Sequence, residues 1–194
     1  MARRVLPLVV ALVALVSAIP TRATAQAGRT YKVLATSKTS TMQKEMQEAG
    51  EAGFRFVAVM GGETAIGGKE VVVLMERTSE ASTRYEYRLL ATSKTSTLQK
   101  ELQEASDGGW QAVGQTVFES LLGGKETAGI LERNPGERSA ARYDYKLIAT
   151  SKTSTLEKEL REAAEHGYEA VGLTVGKTAL GGAEMVVITR KPIR

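Results

Sequence analysis

Cysteine is absent from the 194 residues, histidine occurs once, proline four times, and aromatic residues make up only 5%. Without cysteine there is no disulfide framework, no thiolate nucleophile, no Cys-ligated zinc site and no iron–sulfur cluster. With His166 as the sole imidazole, a multi-histidine metal site is excluded, and a Ser/His/Asp triad would have to be built on that one residue. No glycine-rich phosphate loop precedes a lysine, so a nucleotide site is not expected and no cofactor is implied. What is present suits a folded chain: 42% apolar and 25% charged residues, too apolar for intrinsic disorder. A formal charge of +4 raises nucleic acid or an acidic membrane as partners.

The N-terminus changes that charge. Residues 1–27 carry Arg3 and Arg4, an uncharged run from Val5 to Ile19, then Pro20 and the small-residue stretch from Ala23 to Ala27. This is the three-part pattern of a secretory signal peptide, with cleavage expected after Ala25 or Ala27. The apolar run is shorter than the roughly 20 residues that span a bilayer, so no stable membrane insertion is expected after cleavage. Arg3-Arg4 fits an ordinary basic leader better than the twin-arginine route, and no cysteine follows to take a lipid. Cleavage removes three of the 26 basic residues and none of the 22 acidic ones, which leaves a formal charge of about +1. Nucleic acid is therefore not an expected partner. The mature protein is expected to be secreted or periplasmic, and without cysteine its stability rests on burial alone.

The mature chain repeats itself three times. Ala-Thr-Ser-Lys-Thr-Ser-Thr recurs at 35–41, 91–97 and 149–155, and the units stay in register from Tyr31, Tyr87 and Tyr145 to the glycine pairs beginning at Gly67, Gly123 and Gly181. The units span 28–78, 84–134 and 142–194, joined by polar linkers of which the second holds the turn signal Asn134-Pro135-Gly136. Within each, alternation as in Tyr85-Glu86-Tyr87-Arg88-Leu89 predicts a strand. Ser40-x-x-Gln43, Ser96-x-x-Gln99 and Ser154-x-x-Glu157 fit the capping box of a following helix. The helices place Met42, Met46 and Ala49, Leu98, Leu102 and Ala105, and Leu156, Leu160 and Ala163 on one stripe, and stop at Gly53, Gly109 and Gly167. A second strand, a hairpin at the glycine pair and a third, apolar strand complete the unit.

The expected fold class is thus α+β: three tandem β-α-β-β repeats, each a three-stranded antiparallel-type sheet with one helix. The third strand is expected between the other two. A unit of this size buries little surface alone. Its second strand also reads as apolar on both faces, with Val113, Gln115 and Val117 opposite Ala112 and Gly114. The face without a helix should therefore be buried by a neighbour, which gives a compact pseudo-symmetric body.

The Tyr-x-Tyr of the first strand, the helix ending in Gly109-Trp110 or Gly167-Tyr168, and the closing strand running into Arg190-Lys191-Pro192 together resemble the small bacterial family called domain of unknown function 4177. The first unit departs in having Arg29 where the others have Tyr85 and Tyr143. The resemblance implies a fold and a bacterial origin, and the family supplies no activity or catalytic residue.

Candidate sites are few. Ser37, Lys38 and Ser40, with Ser93, Lys94 and Ser96 and with Ser151, Lys152 and Ser154, sit at helix N-termini, where an anion is favoured; helix capping is the simpler role. The helix carboxylates Glu45 and Glu48, and their counterparts, alternate with lysines as a solvated charged face does. Tyr85, Tyr87, Tyr143 and Tyr145 would offer an aromatic platform to glycan or peptide if exposed; buried, they belong to core and interfaces, the preferred reading. The functional expectation is a non-enzymatic binding or structural module for protein or glycan, with no metal. The alternatives are a glycan-active or other extracytoplasmic hydrolase using loop carboxylates, or an inhibitor of an extracellular enzyme whose protruding loop runs from Gln115 to Lys125 with Phe118, Leu121 and Leu122.

Overall fold

In all three units the hydrophobic period switches twice, and the backbone follows each switch. A computed structural model describes residues 28–64, 68–79, 83–119, 125–137, 141–177 and 183–193. The expected signal peptide lies outside the described residues, as do Leu121, Leu122 and the second and third glycine pairs. The first unit comprises β1 (Arg29–Thr36), α1 (Thr39–Glu51), β2 (Arg55–Thr64) and β3 (Gly68–Thr78). The second has β4 (Glu86–Thr92), α2 (Thr95–Asp107), β5 (Gln111–Glu119) and β6 (Lys125–Arg133). The third has β7 (Arg142–Thr150), α3 (Thr153–Glu165), β8 (Glu169–Lys177) and β9 (Ala183–Ile193).

Each unit forms its own antiparallel sheet with the last strand in the centre, in the orders β1-β3-β2, β4-β6-β5 and β7-β9-β8. The central strands supply core residues, among them Val71, Val73 and Met75 of β3, as the apolar run Val71 to Leu74 foretold. Every helix ends in a Schellman motif: Phe54 N–H donates to Ala49 C=O and Gly53 N–H to Gly50 C=O, with Gly53 at φ 84°. Gly109 and Gly167 repeat it, at φ 78° and 84°.

Two local expectations are corrected. The capping box is not formed: the N-cap residues are Lys38, Lys94 and Lys152, in extended conformation and without a side-chain cap. Instead the turn before each helix is tied by Thr36, Thr92 or Thr150, whose hydroxyl accepts from the lysine N–H. The phase of the second strands is broken by a bulge at Val57, Val113 and Val171. Ala112 pairs with Leu131 and Gly114 with the adjacent Ile130, so Ala112 and Gly114 face opposite ways and Gln115 shares the helix-side face with Ala112.

The sheets stack as expected of one body. The helix-side face of the first sheet, with Met42 and Met46 of α1, packs on Tyr87, Leu89 and Ile130 from the far face of the second. Leu98, Leu102 and Leu131 pack in the same way on Tyr145 and Ile188 of the third. Each of α1 and α2 is wedged between its own sheet and the next, while β2, β5 and β8 pack directly against one another in sequence. Glycines allow this second approach: a Cβ on Gly114 would lie 2.6 Å from the Phe56 ring, and one on Gly61 3.0 Å from Val117 C=O. The three sheets thus fan out from the side on which β2, β5 and β8 meet.

Candidate functional site

The inter-unit contact is built twice from the same positions. On one flank a helix closes the open edge of the next sheet. Gln43 and Gln47 of α1 accept from the N–H groups of Leu89 and Tyr87 at 3.2 and 3.0 Å. Gln99 and Gln103 of α2 accept from Leu147 and Tyr145 at 3.0 and 3.1 Å. Unpaired edge groups invite strand addition, and here side-chain amides occupy them. The glutamines that fit a capping pattern in the sequence are therefore bridges to the following unit.

On the other flank a phenol reaches back. Tyr87 Oη accepts from Phe56 N–H at 2.8 Å and donates to Glu132 at 2.8 Å, and Tyr145 Oη accepts from Ala112 N–H at 2.7 Å. Burial pushes both phenols above their ordinary pKa of 10, and the Glu132 carboxylate adds to this at Tyr87. Glu132 is buried, and its remaining oxygen takes Arg55 from the first unit at 3.0 Å. Arg55 lies over the Tyr85 ring, 5.1 Å from its centroid. In the second contact Arg190 lies 4.6 Å over Tyr143, pairs with Glu169 and donates to Ala112 C=O at 2.8 Å. Both contacts thus place a guanidinium on the same ring position, although the cation comes from opposite sides of the seam.

Tyr87 and Tyr145 are 2% and 3% exposed, so the aromatic platform drawn from Tyr85, Tyr87, Tyr143 and Tyr145 is not presented to solvent. Tyr85 and Tyr143 are half-buried beneath arginines. Tyr31, the first unit's counterpart of Tyr87 and Tyr145, is 56% exposed because no described unit precedes it. With it on the far face of the first sheet are Val33 and Met60, both largely exposed, and Ala58. This open face is the counterpart of the two faces that the chain buries.

Two clefts lie where β2, β5 and β8 converge. One, of about 600 Å³, is lined by Met60, Val71, Thr116, Val117, Leu173 and Val175 among others. Ser37 lines it too, alone among the serines and lysines considered for anions. The other, of about 460 Å³, holds Arg55, Glu76, Gln111, Glu132, Glu169 and Arg190. Each carboxylate there is held by an arginine: Glu132 by Arg55, Glu169 by Arg190 and Glu76 by Arg29. Ser40, Ser96 and Ser154 are exposed on the first turns of three separate helices, each with its own lysine.

The stretch expected to protrude as an inhibitory loop does not do so in its described part. Gln115 and Phe118 are buried in β5. Gln115 crosses into the third unit, donating to Thr174 Oγ1 and Val186 C=O at 2.7 and 2.6 Å and accepting from Ile188 N–H at 3.1 Å. The helix carboxylates form exposed pairs, Lys44–Glu48, Lys100–Glu104 and Lys158–Glu162, at 3.9, 3.7 and 3.7 Å, as a solvated face should. His166 caps α3 and is exposed. Among the described residues no cluster of acidic or imidazole groups could hold a metal, and no helix is long and apolar enough to cross a membrane. No protein-family model, curated protein or solved structure matches the chain.

Proposed function

We propose that this chain is an exported, non-enzymatic module that works by protein contact, with the open far face of its first sheet as the working surface. The observation that carries this is the contrast in burial among equivalent positions. Tyr31, Val33 and Met60 stand in solvent, while Tyr87, Leu89 and Thr116, and again Tyr145 and Thr174, are covered by protein. A face that the chain twice covers with protein is shaped for protein, and its apolar residues give little purchase to a glycan. The hydrolase reading is disfavoured because the cleft carboxylates are each engaged by an arginine. Export rests on the leader pattern of residues 1–27, and kinship with domain of unknown function 4177 rests on the motifs quoted above.

Photocrosslinking tests this reading even while the partner is unidentified. A photoreactive residue at position 33, in the full chain produced in exporting cells, should give protein adducts that the same residue at position 44 does not. Absence of any adduct from position 33 would remove the proposal.

A further inference from the structure

In stacked-repeat proteins the terminal units present polar outer faces, which stop the stack. Among the described residues, neither end of this stack is closed in that way. The first sheet exposes Tyr31, Val33 and Met60 on the face that receives a preceding unit. The third exposes Leu173 and Val175 on the face that, in the first two sheets, holds the following unit. Resting on the reading of the first face as a protein-docking surface, we propose that its occupant is a second copy of this chain, whose third unit docks on the first unit through a further instance of the inter-unit contact.

The chemistry corresponds position by position. Glu157 stands where Gln43 and Gln99 accept an edge N–H, and its carboxylate accepts equally well from Val33 N–H. Ala170 stands where Phe56 and Ala112 donate their N–H to a phenol, and Tyr31 supplies that phenol. The positions of Gln115 and Thr174, which meet at the second seam, are held by Val59 and Thr116 at the first seam and by Leu173 and Met60 in the contact between copies, where both members are apolar. Ala164, at the positions of Gly50 and Ser106, keeps the helix surface small beside the incoming strand.

Two positions weaken the contact. Arg161 replaces Gln47 and Gln103, and a guanidinium has no acceptor for Tyr31 N–H. Glu169 approaches Glu76, where Arg55 meets Glu132 within the chain. The contact between copies is therefore reversible where those within the chain are permanent. Because the two faces differ, it is heterologous and extends into open chains or rings rather than stopping at a symmetric dimer.

Sedimentation velocity of the mature protein over a wide concentration range tests this. Wild type should associate beyond a dimer with rising concentration. Val33→Asp and Leu173→Asp should each sediment as monomers, with unchanged circular dichroism since both residues are exposed, and their mixture should give a 1:1 dimer and nothing larger. Arg161→Gln should tighten association about tenfold by restoring one hydrogen bond. A monomer at every concentration, unchanged in Arg161→Gln, would overturn the proposal, as would assembly that survives Leu173→Asp. Adducts from position 33 to a different protein, with the chain itself monomeric, would overturn self-docking and leave the docking surface standing. No adduct at all would remove both.

Discussion

Val33 and Leu89 hold the same place in the first and second units, in register with Leu74 and Ile130 respectively, yet Val33 is 63% exposed and Leu89 8%. Local sequence does not separate them: both are branched aliphatic residues two positions after a Tyr and two before an Ala, on an alternating strand. The difference is positional. Leu89 has α1 and the first sheet packed before it, whereas no described unit packs before Val33. Burial in this molecule is thus a property of a unit's place in the stack, and equivalent residues differ in energetic weight for that reason alone.

The largest expected contrast is therefore between core and open face. Leu89→Ala should lower the unfolding free energy by about 3 kcal/mol through lost transfer energy and a residual cavity. Val33→Ala, with its side chain in water, should change it by less than about 0.5 kcal/mol in dilute protein, and urea titration reads both. A similar cost for the two would mean that the first face is covered in the monomer.

Next in size is Gln115. Its replacement by Ala leaves Ile188 N–H and Val186 C=O without their side-chain partner in a buried seam, which should cost about 2–3 kcal/mol. Leu173→Ala at the equivalent exposed position should cost no more than about 0.5 kcal/mol. Thermal melts of the two variants would dissolve the comparison if they coincided.

The smallest contrast concerns the phenols. Tyr87→Phe removes the donor to Glu132 and the acceptor for Phe56 N–H and should cost about 2 kcal/mol; Tyr145→Phe loses one bond and should cost about 1 kcal/mol; Tyr31→Phe should be silent in the monomer. The same groups set an alkaline limit. A phenol with a raised folded-state pKa contributes stability that is complete above neither value but below both: it is fully present below pH 10 and is lost relative to that level as pH rises from 10 through the folded value. Wild-type melting temperature should accordingly fall above pH 10, and Tyr87→Phe should flatten that fall. Tyr168, held up to about 12 by its hydrogen bond to Asp144, adds to the loss between pH 10 and 12.

The repeats, the strand order, the helix stripes and the terminal glycines are legible in the sequence because each follows from local periodicity or a single backbone conformation. The partners of the polar residues are not. Ser40-x-x-Gln43 satisfies the pattern of a local cap, but Gln43 finds its hydrogen bond 46 residues away. The available clue is comparative: Gln43 and Gln47 recur as Gln99 and Gln103, yet become Glu157 and Arg161 in the last unit, where they pair with each other. Glu132 and Arg55 carry no sequence signal for a similar reason. Their counterparts are Glu76 and Arg190, and Gln111 and Glu169, so the charge changes sides from seam to seam and shows no shared motif. Gln115 reads as a strand residue on the face opposite Ala112, because only the bulge, which the sequence does not announce, turns its amide towards the third unit.

Amide hydrogen exchange of dilute mature protein tests the central claim most directly, since it compares the three edge strands in one molecule. The amides of Tyr87 and Leu89, and of Tyr145 and Leu147, should be strongly protected by the glutamines that accept from them, while those of Tyr31 and Val33 exchange as open amides. Equal protection at all three edges in the monomer would contradict an open first face, and with it the docking of any partner there.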